Sequence, residues 1–276
     1  MTVLVEQERN AALFSWYRIH QRPFPWRGET DPYSILVSET MLQQTQASRV
    51  VPFYERFITR FPTAASLADG DLREILTLWT GLGYNSRALR LRDTARLVTE
   101  HGWPTTPETL TELPGVGPYT AAAVASFAFG ARVAAIDTNF RRVLSRWHGE
   151  PLHGAALRAA AETALGDPAP DWNQAMMDLG AMRCTAREPD CRRCPVRDWC
   201  SGPSGYRPPV AQGRFEGSAR QLRGAIVRTL VSGPVTATEI SHRTGFRPAE
   251  VESALADLSS EGLIIEDGSG TYEIAE

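Results

Sequence analysis

All four cysteines of this chain lie within one short segment, Cys184 to Cys200, which reads CTAREPDCRRCPVRDWC. Disulfides are a poor explanation, because they mostly stabilise small secreted domains, and a chain of 276 residues can bury a large core. The N-terminus, MTVLVEQERNAALFSWY, has early acidic residues and no small-residue cleavage site, so it does not resemble a secretion signal. We therefore expect a cytoplasmic protein whose clustered thiolates bind a metal ion or a metal cluster.

The spacing of the cysteines leaves the kind of metal open. Six residues separate Cys184 from Cys191, two separate Cys191 from Cys194, and five separate Cys194 from Cys200. Four thiolates suit either a zinc ion or an iron–sulfur cube. Zinc sites usually contain two tight Cys-x2-Cys pairs, whereas this segment contains one, with a single cysteine on each side of it.

Charge is distributed unevenly along the chain. The net charge is −3, but residues 224–276 hold nine acidic residues and three arginines, so residues 1–223 carry +3. Residues 184–223, which include the cysteines, hold eight arginines and four acidic residues. A basic body is compatible with a nucleic-acid partner. The chain contains no lysine, which excludes a lysine Schiff base from its chemistry.

The hydrophobic pattern predicts an all-α body. Hydrophobic residues make up 42% of the chain, and no apolar run approaches the roughly 18–20 residues of a membrane span. Helical periodicity dominates up to about residue 200, and no strand pattern precedes the tail. The predicted body helices are Ser34–Phe61, which is broken into more than one helix, Asp71–Trp79, Ser86–Glu100 and Pro107–Leu113.

A Pro- and Gly-rich stretch at 201–217 precedes a separate tail. The tail pattern predicts helices at Ala219–Val231, Ala237–Thr244 and Pro248–Glu261, then a hairpin over Leu263–Ile274 that turns at 267–270. Three helices followed by a hairpin are typical of a winged helix. Because the tail is acidic, we expect it to pack on the body or to bind a protein rather than to bind duplex DNA.

The octet LPGVGPYT, Leu113–Thr120, lies between two predicted helices. Gly115 and Gly117 allow a tight turn and a close approach of another group to the backbone. Pro118 suits the first turn of the next helix, whose free N–H groups suit a phosphate. An ordinary connection between two helices explains the same octet, so these residues alone leave both interpretations open.

Two acidic residues are candidates for catalysis. Asp137 precedes a predicted helix, where aspartate is most often an N-cap, but it also follows the apolar run Val133–Ile136. Glu39 lies on the apolar face of its helix, four residues after Ile35 and three before Leu42. Burial there is expected to raise its pKa and keep it protonated near neutral pH, as a general acid requires. A surface glutamate on a rotated helix is the alternative.

Several motifs then occur together in the order that one family shows. The hairpin LPGVGPYTA, the downstream IDTN and the cysteine spacing resemble the helix-hairpin-helix DNA glycosylases that carry a 4Fe–4S cluster. Within them, SETMLQQTQ, TGLGYNSRA and WNQAMMDLGAMRCT are similar to the MutY-type adenine glycosylases. The resemblance covers about residues 8–203 and does not include the tail.

The resemblance implies a monofunctional enzyme that releases adenine mispaired with 8-oxoguanine or guanine and leaves an abasic site. Glu39 matches the acid that protonates the adenine ring, and Asp137 matches the carboxylate that stabilises the sugar cation. Tyr119 and Asn139 match residues that support those two. Thr138 departs from the glycine more often found there, and we expect it to be tolerated. The implied cofactor is a 4Fe–4S cluster held by Cys184, Cys191, Cys194 and Cys200.

The same resemblance implies the binding residues. Those that match the adenine pocket are Trp26, Arg27, Leu42 and Gln174. Gln44 and Tyr84 match the wedge that fills the duplex near the lesion, and Gly115 and Gly117 match the phosphate-binding amides. The cluster is expected to hold its Arg-rich segment against the DNA backbone, through Arg187, Arg192, Arg193 and Arg197.

The expected fold is mostly α, a two-lobed helix-hairpin-helix glycosylase fold with a 4Fe–4S cluster loop and a winged-helix-like C-terminal tail. The expected divisions are a cluster-containing lobe (1–24 and 130–203), a barrel lobe with the hairpin (25–129), a linker (204–217) and the tail domain (218–276). The expected partner is double-stranded DNA with a flipped adenine, bound by a monomer that associates with the nucleoid, and the acidic tail is a candidate site for a protein partner.

Two alternatives stay open on the sequence. A mismatch glycosylase of the same fold would release thymine or uracil, although Gln174 and the QQTQ stretch favour adenine. A non-catalytic DNA-binding iron–sulfur protein would share the hairpin, the cluster and the tail. The presence of both Glu39 and Asp137 argues against that second alternative.

Overall fold

The computed structural model describes residues 3–208 and 213–276, so residues 209–212 of the predicted linker lie outside the described residues. The body helices are α1 Val3–His20, α2 Pro32–Leu42, α3 Ala47–Arg60, α4 Ala64–Ala68, α5 Leu72–Trp79, α6 Ser86–His101, α7 Pro107–Leu110, α8 Pro118–Phe129, α9 Thr138–His148, α10 Gly154–Ala164 and α11 Ala169–Met182. Short 3-10 turns follow at Cys191–Arg193, Arg197–Trp199 and Pro203–Gly205. None of the described helices is long and apolar enough to cross a membrane.

The structure confirms the all-α body and most of its predicted helices. The pattern over Ser34–Phe61 forms two helices, α2 and α3, and the next two predicted helices are α5 and α6. The prediction for Pro107–Leu113 was too long, because α7 ends at Leu110. Leu113 precedes Pro114, whose ring disfavours the helical conformation in the residue before it, so the chain leaves the helix early.

The first of two compact units comprises Met1–Leu36, Pro104–Glu112 and Val116–Ala211. Helices α1, α9, α10 and α11 supply its main core, in which the rings of Phe140 and Trp172 meet edge to face at 5.4 Å. Val196, from the cysteine segment, is fully buried against the same core. The cysteine segment is therefore packed on helices of this unit.

The second compact unit comprises Val37–Trp103, Leu113–Gly115 and Gln212–Glu276. Helix α3 buries Val50, Tyr54 and Phe57, which recur at helical spacing. The Phe57 ring packs edge to face on Trp79 of α5 at 5.9 Å. Helices α3 and α5 thus form part of a core to which the tail is added.

The tail is a winged helix, as predicted. Its helices are α12 Ala219–Val231, α13 Ala237–Thr244 and α14 Pro248–Ser260, and its strands are β1 Val235–Thr236, β2 Ile264–Glu266 and β3 Thr271–Ile274. The strands pair antiparallel in the order β1-β3-β2, with Val235 opposite Tyr272 and Ile264 opposite Ile274. The sequence pattern missed β1, because two residues are too few to show an alternation.

The tail packs on the body half of its own unit, which confirms one of the two expectations for it. Helix α12 lies against α5, and Arg73 of α5 donates from Nη1 to the carbonyl oxygens of Leu230 at 2.7 Å and Val231 at 3.4 Å. These carbonyls are at the end of α12, where no intrahelical donor is left for them. Arg92 of α6 donates to the backbone oxygen of Glu276 at 3.4 Å.

Candidate functional site

Asp137 is the N-cap of α9. Its Oδ1 accepts a hydrogen bond from the backbone N–H of Phe140 at 2.8 Å, and its Oδ2 accepts one from Nδ2 of Asn139 at 2.6 Å. Burial raises the pKa of Asp137, and these two hydrogen bonds oppose the rise by stabilising the ionised form. Asp137 is therefore both the N-cap of α9 and a carboxyl group whose pKa is raised by burial.

Asn139 is itself held in one orientation. Its Oδ1 accepts from Nη2 of Arg142 at 2.6 Å, which leaves its NH2 group to face Asp137. Arg142 also donates to the carbonyl oxygens of Gly180 at 2.7 Å and Cys184 at 2.5 Å. A Cβ atom at Gly180 would lie 2.6 Å from Cβ of Asn139, so glycine is needed there. Arg142 thus connects the cysteine segment with the side chain that supports Asp137.

The extended segment before Asp137 is anchored by Asn173, a fully buried residue of α11. Oδ1 of Asn173 accepts from the N–H of Ala135 at 2.9 Å, and its Nδ2 donates to the Val133 carbonyl and to Oγ of Ser126, both at 2.9 Å. The backbone that delivers Asp137 is therefore fixed from two helices, α8 and α11.

Tyr119 lies in the first turn of α8, beside the same segment. It packs against a small buried cluster of Ala122, Ala123 and Ala135. Because Ala135 lies two residues before Asp137, Tyr119 packs against the segment that leads to Asp137.

A second polar network in the first unit contains two predicted pocket residues, Arg27 and Gln174. Nη1 of Arg27 lies 3.5 Å from the hydroxyl of Tyr17, and that hydroxyl donates to Oε1 of Gln174 at 2.6 Å. Nη2 of Arg27 donates to Oδ1 of Asp178 at 2.6 Å. Trp26, the third predicted pocket residue of this unit, is buried and stacks on Phe24 at 5.0 Å.

A cavity of about 620 Å³ opens beside this network. Tyr17 and Gln174 line it, together with aromatic and proline side chains and several charged residues. Asp137 and Tyr119 are not among its lining residues. The cavity therefore adjoins the predicted pocket residues of unit 1 and is separate from the carboxylate.

Glu39 lies in unit 2 on α2 and is 5% exposed. The alternative of a surface glutamate on a rotated helix is therefore wrong. The neighbours Leu36, Val37 and Met41 are also buried, because α2 is enclosed on nearly all sides. Leu42, the last predicted pocket residue, is half-buried at the final position of this helix.

Gln44 and Tyr84, the two predicted wedge residues, share an unusual backbone conformation. Their φ angles are +57° and +51°, and among the described residues they are the only non-glycine positions with positive φ. Both are exposed, and Tyr84 is 38% exposed. Such conformations cost free energy and concentrate at functional sites.

Buried Arg87 joins the two loops that carry Gln44 and Tyr84, the predicted wedge residues. Its Nη1 donates to the carbonyl oxygens of Thr40 at 2.5 Å and Gln43 at 2.8 Å, and its Nη2 donates to that of Gly83 at 3.0 Å. Its guanidinium also lies over the Tyr84 ring at 5.5 Å. Desolvation lowers the pKa of Arg87 to about 10, so it remains charged at neutral pH.

The two glycines of the hairpin differ in what the fold requires of them. Gly115 has φ of +75°, and a Cβ atom there would lie 2.9 Å from Cβ of Arg90. Gly117 has an ordinary φ of −88°, and a Cβ atom there would meet nothing within 4 Å. Gly117 is the N-cap of α8 and makes no side-chain capping bond, and the N-terminus of a helix is a place that suits an anion.

The four cysteines are free thiols that line one cavity together. Burial raises the pKa of Cys194 to about 11 and also raises that of Cys200. Nη1 of Arg146 donates to Sγ of Cys184 at 3.1 Å and to the Thr185 carbonyl at 2.8 Å. In the part of the chain that the structure describes, no three His, Cys, Asp or Glu side chains form a set for a single metal ion.

The predicted phosphate-binding arginines, Arg187, Arg192 and Arg193, are all exposed around the cysteines. Within residues 3–208 and 213–276, none of them forms an ion pair. Their charges are therefore available to a ligand.

Sequence analysis missed the residues that orient the others, namely Tyr17, Arg87, Arg142, Arg146 and Asp178. One signal was present, because Arg142 and Arg146 lie four residues apart among Phe140, Val143 and Trp147 on the buried face of α9. Charged residues at that spacing on an apolar face predict buried ion pairs or hydrogen bonds. No comparable signal marks Tyr17.

Comparison with known proteins identifies the family of this chain. A family model described as HhH-GPD superfamily base excision DNA repair protein matches residues 37–162. An adenine DNA glycosylase of Mycolicibacterium smegmatis is 39% identical over 95% of this chain and 94% of its own length. The human adenine DNA glycosylase is 41% identical over 68% of this chain and 38% of its own length.

Solved structures show the same fold. A thermostable thymine-DNA glycosylase is 33% identical, with a TM-score of 0.66 over 71% of this chain and 97% of its own. A trapped endonuclease III–DNA covalent intermediate is 21% identical, with a TM-score of 0.61 over 74% of this chain and 98% of its own. The chain therefore belongs to the HhH-GPD superfamily of base excision DNA repair proteins and, within it, to the MutY-type adenine DNA glycosylases.

Proposed function

We propose that this protein hydrolyses the N-glycosidic bond of adenine mispaired with 8-oxoguanine or guanine in duplex DNA and leaves an abasic site. The observation that carries the proposal is Asp137, a carboxylate whose burial raises its pKa while Asn139 and the α9 amide stabilise its charge. An enzyme needs such a carboxylate where positive charge develops on a sugar.

The chemistry divides between two carboxyl groups. A base inside a duplex must be flipped out, at a cost of a few kcal/mol, before it is reached. Glu39, which is 5% exposed, donates a proton to the leaving adenine ring. Asp137 stabilises the cationic sugar while water adds to it, and Tyr119 and Asn139 support the two carboxyl groups. Carboxyl groups in unlike environments divide acid and stabiliser roles in this way in glycoside hydrolysis.

The DNA partner is held by three further features. Gln44 and Tyr84 enter the duplex as a wedge, a role supported by their strained backbone and exposure. Gly115 and Gly117 bring the first amides of α8 to a phosphate. Exposed arginines of the cysteine segment, Arg187, Arg192 and Arg193, contact further phosphates.

The residues proposed to bind the flipped adenine are Trp26, Arg27, Leu42 and Gln174. The ordered hydrogen bonds of Arg27 and Gln174 support this assignment. One candidate competes with adenine, because the thymine-DNA glycosylase named above is 33% identical to this chain. A base-release assay on thymine–guanine, uracil–guanine, adenine–guanine and adenine–8-oxoguanine duplexes, followed by alkali, separates the two. Release of thymine or uracil without adenine would overturn the proposal.

The cofactor proposed is a 4Fe–4S cluster on Cys184, Cys191, Cys194 and Cys200. The residues fit it, because four free thiols line one cavity. When bound, the cluster supplies a rigid cross-link, which keeps the surrounding arginines in place. A brown protein with iron and no zinc is expected, and one zinc per chain would contradict this.

The absence of lysine supports a monofunctional enzyme. Product strands should stay whole until alkali is added, and borohydride should trap no efficient protein–DNA adduct. Efficient trapping would contradict this. We further propose a monomer that acts at the nucleoid, with its cluster lobe built from 1–24 and 130–203, its barrel lobe from 25–129, and its acidic tail, 218–276, available to a protein partner.

A further inference from the structure

Tyr17 has no part in the function proposed above, yet it lies at the centre of the network around Gln174. Its side chain is buried, and its hydroxyl contacts Oε1 of Gln174 at 2.6 Å and Nη1 of Arg27 at 3.5 Å. Burial raises the pKa of Tyr17, and the charge of Arg27 opposes the rise. The phenol therefore keeps its proton at neutral pH.

The hydrogen bonds of this network run in one direction. A guanidinium has donors and no acceptor, so Arg27 can only donate to the Tyr17 oxygen. The single proton of Tyr17 then has Gln174 as its acceptor, which turns Oε1 of the amide toward the phenol. A flipped amide would place its NH2 group against a hydroxyl that is already accepting, and it would leave the phenol proton unpaired in a buried place.

Asp178 holds Arg27, the first donor of this network, in place. Its carboxylate is fully buried, and it accepts from Nη2 of Arg27 at 2.6 Å, from Nε of Arg22 at 2.7 Å and from the N–H of Arg22 at 3.0 Å. A buried carboxylate without such partners is costly, so the arginines are held tightly. Arg27 is therefore in position before any ligand binds.

The remaining side of the Gln174 amide is its NH2 group. Nε2 has no hydrogen-bond partner among the described residues. We propose that Tyr17 is a specificity-determining positioning residue that holds Gln174 as a hydrogen-bond donor toward the flipped base. This rests on the placement of Gln174 in the adenine pocket under the proposed function.

A fixed donor discriminates among bases by simple chemistry. The free ring nitrogens of adenine, N1, N3 and N7, are all acceptors. Guanine carries a proton on N1 and thymine carries one on N3, so a donor at those positions meets another donor. An unpaired buried donor is penalised, which is how polar pockets reject near-isosteres. A Gln174 donor that faces N1 therefore favours adenine over guanine, whereas N3 and N7 are acceptors in both purines.

A double-mutant cycle tests the proposal. Tyr17→Phe, Gln174→Ala and the double variant are compared by single-turnover release of adenine opposite 8-oxoguanine. Tyr17→Phe should slow release about 3- to 10-fold, the effect of one hydrogen bond, and the double variant should be no slower than Gln174→Ala. Multiplicative losses in the double variant would show that Tyr17 does not act through Gln174, and would overturn the proposal.

Gln174→Glu tests the direction of the amide. The carboxylate still accepts from Tyr17 but offers no donor to the base, so this variant should release adenine more slowly than Gln174→Ala. Activity near that of the unmodified protein would mean that the base faces an acceptor, which contradicts the proposal. Tyr272→Phe, a phenol lost from the tail, is the matched control and should leave the rate unchanged.

The orientation can also be measured without activity. In nuclear magnetic resonance spectra, the side-chain NH2 signals of Gln174, assigned through Gln174→Ala, should shift in Tyr17→Phe because Oε1 loses its donor. An unchanged signal overturns the proposal whatever the enzyme does. If the unmodified protein releases no adenine while this shift is seen, the proposed function fails and the positioning by Tyr17 stands.

Discussion

The Asp137 carboxylate caps α9 and is partly buried, and these two circumstances act on its charge in opposite directions. Burial disfavours the ionised form, while the bonds from Phe140 and Asn139 favour it. Because the net effect raises the pKa, the ionised carboxylate lowers the stability of the folded protein. The cost grows as the pH rises from the ordinary pKa of aspartate to the folded-state pKa, and it is constant above that.

Asp137→Asn should therefore separate activity from stability. Asparagine keeps an oxygen for the Phe140 amide and cannot ionise, but its NH2 group meets that of Asn139. The melting temperature of the variant relative to that of the unmodified protein should therefore rise between pH 4 and pH 7, because only the unmodified protein bears the growing cost of the buried charge. Its single-turnover adenine release should fall by about 10²-fold or more, because the sugar cation loses its counter-charge. Melting temperatures across this pH range and excision rates give the two measurements.

Asp137→Ala is the control, because it also removes the cap and should lose about 1 kcal/mol relative to Asp137→Asn. If the difference in melting temperature between the asparagine variant and the unmodified protein is the same at pH 4 and pH 7, the pKa of Asp137 is not raised in the folded protein.

At the scale of elements, the fold constrains only one of the two glycines in the hairpin before α8. Gly115 is required by the fold, since its φ is +75° and Arg90 leaves no room for a side chain. Gly117 has neither constraint. Under the proposed function, its lack of a side chain lets a DNA phosphate approach the N-terminus of α8.

Substituting each glycine with alanine should give opposite results. Gly115→Ala should lower the free energy of unfolding by about 1–2 kcal/mol, because alanine is strained at positive φ. Gly117→Ala should fold normally but bind duplex DNA about tenfold more weakly, as a methyl group displaces a charge-assisted hydrogen bond. Chemical denaturation and titration with a non-cleavable duplex distinguish the two. An unchanged affinity of Gly117→Ala for the duplex would show that no DNA phosphate binds at the N-terminus of α8.

Because Arg87 donates hydrogen bonds to both loops, we expect the loops that carry Gln44 and Tyr84 to move together. A buried guanidinium that donates to the carbonyls of Thr40, Gln43 and Gly83 fixes both loops from one side chain. The strained conformations of Gln44 and Tyr84 persist because Arg87 resists their relaxation.

Arg87→Met should loosen the wedge while keeping much of the buried volume. We expect weaker insertion into the duplex, seen as a smaller rise in 2-aminopurine fluorescence when that base is placed beside the mispaired adenine. Arg96→Met, on the same helix but half-exposed, is the control and should behave like the unmodified protein. If Arg87→Met keeps the full fluorescence rise and folds normally, the loops are held by other contacts.

At the scale of the whole molecule, the winged helix is part of the second unit and not an appended module. Arg73 covers the last carbonyls of α12, and Gly262 lies next to Leu89 of α6. Its α14 exposes Glu252 and Asp257, so its outer face repels phosphate. We therefore expect the tail to contribute to stability more than to contact with DNA.

Deleting residues 218–276 should lower the melting temperature but change the preference for 8-oxoguanine over guanine only slightly. Arg73→Met is the milder counterpart; loss of about 1 kcal/mol from its hydrogen bonds should lower the melting temperature by about 2–4 °C. Excision from both duplexes at one salt concentration tests the preference. If the intact protein strongly prefers 8-oxoguanine over guanine and the truncated protein does not, the tail recognises the lesion.

The sequence was sufficient where the determining signals were local. Thr236 and Pro248 mark the starts of α13 and α14, and those predicted helices agree with the structure to within one residue. The burial of Glu39 followed from its position on an apolar face. The bonds that orient the site were not predictable, because Tyr17 and Gln174 are 157 residues apart. A side chain gives no local sign of a partner that only tertiary packing supplies.

The division of the second unit among distant stretches of chain sets an order for its synthesis. Val37–Trp103 leaves the ribosome first, the four cysteines follow, and the winged helix that covers α5 comes last. Since chains begin to fold during synthesis from the N-terminal side, all four cysteines have been made while the α5 surface that α12 later covers is still bare. If these cysteines bind the proposed cluster, its insertion can begin on the nascent chain, before α12 docks on α5.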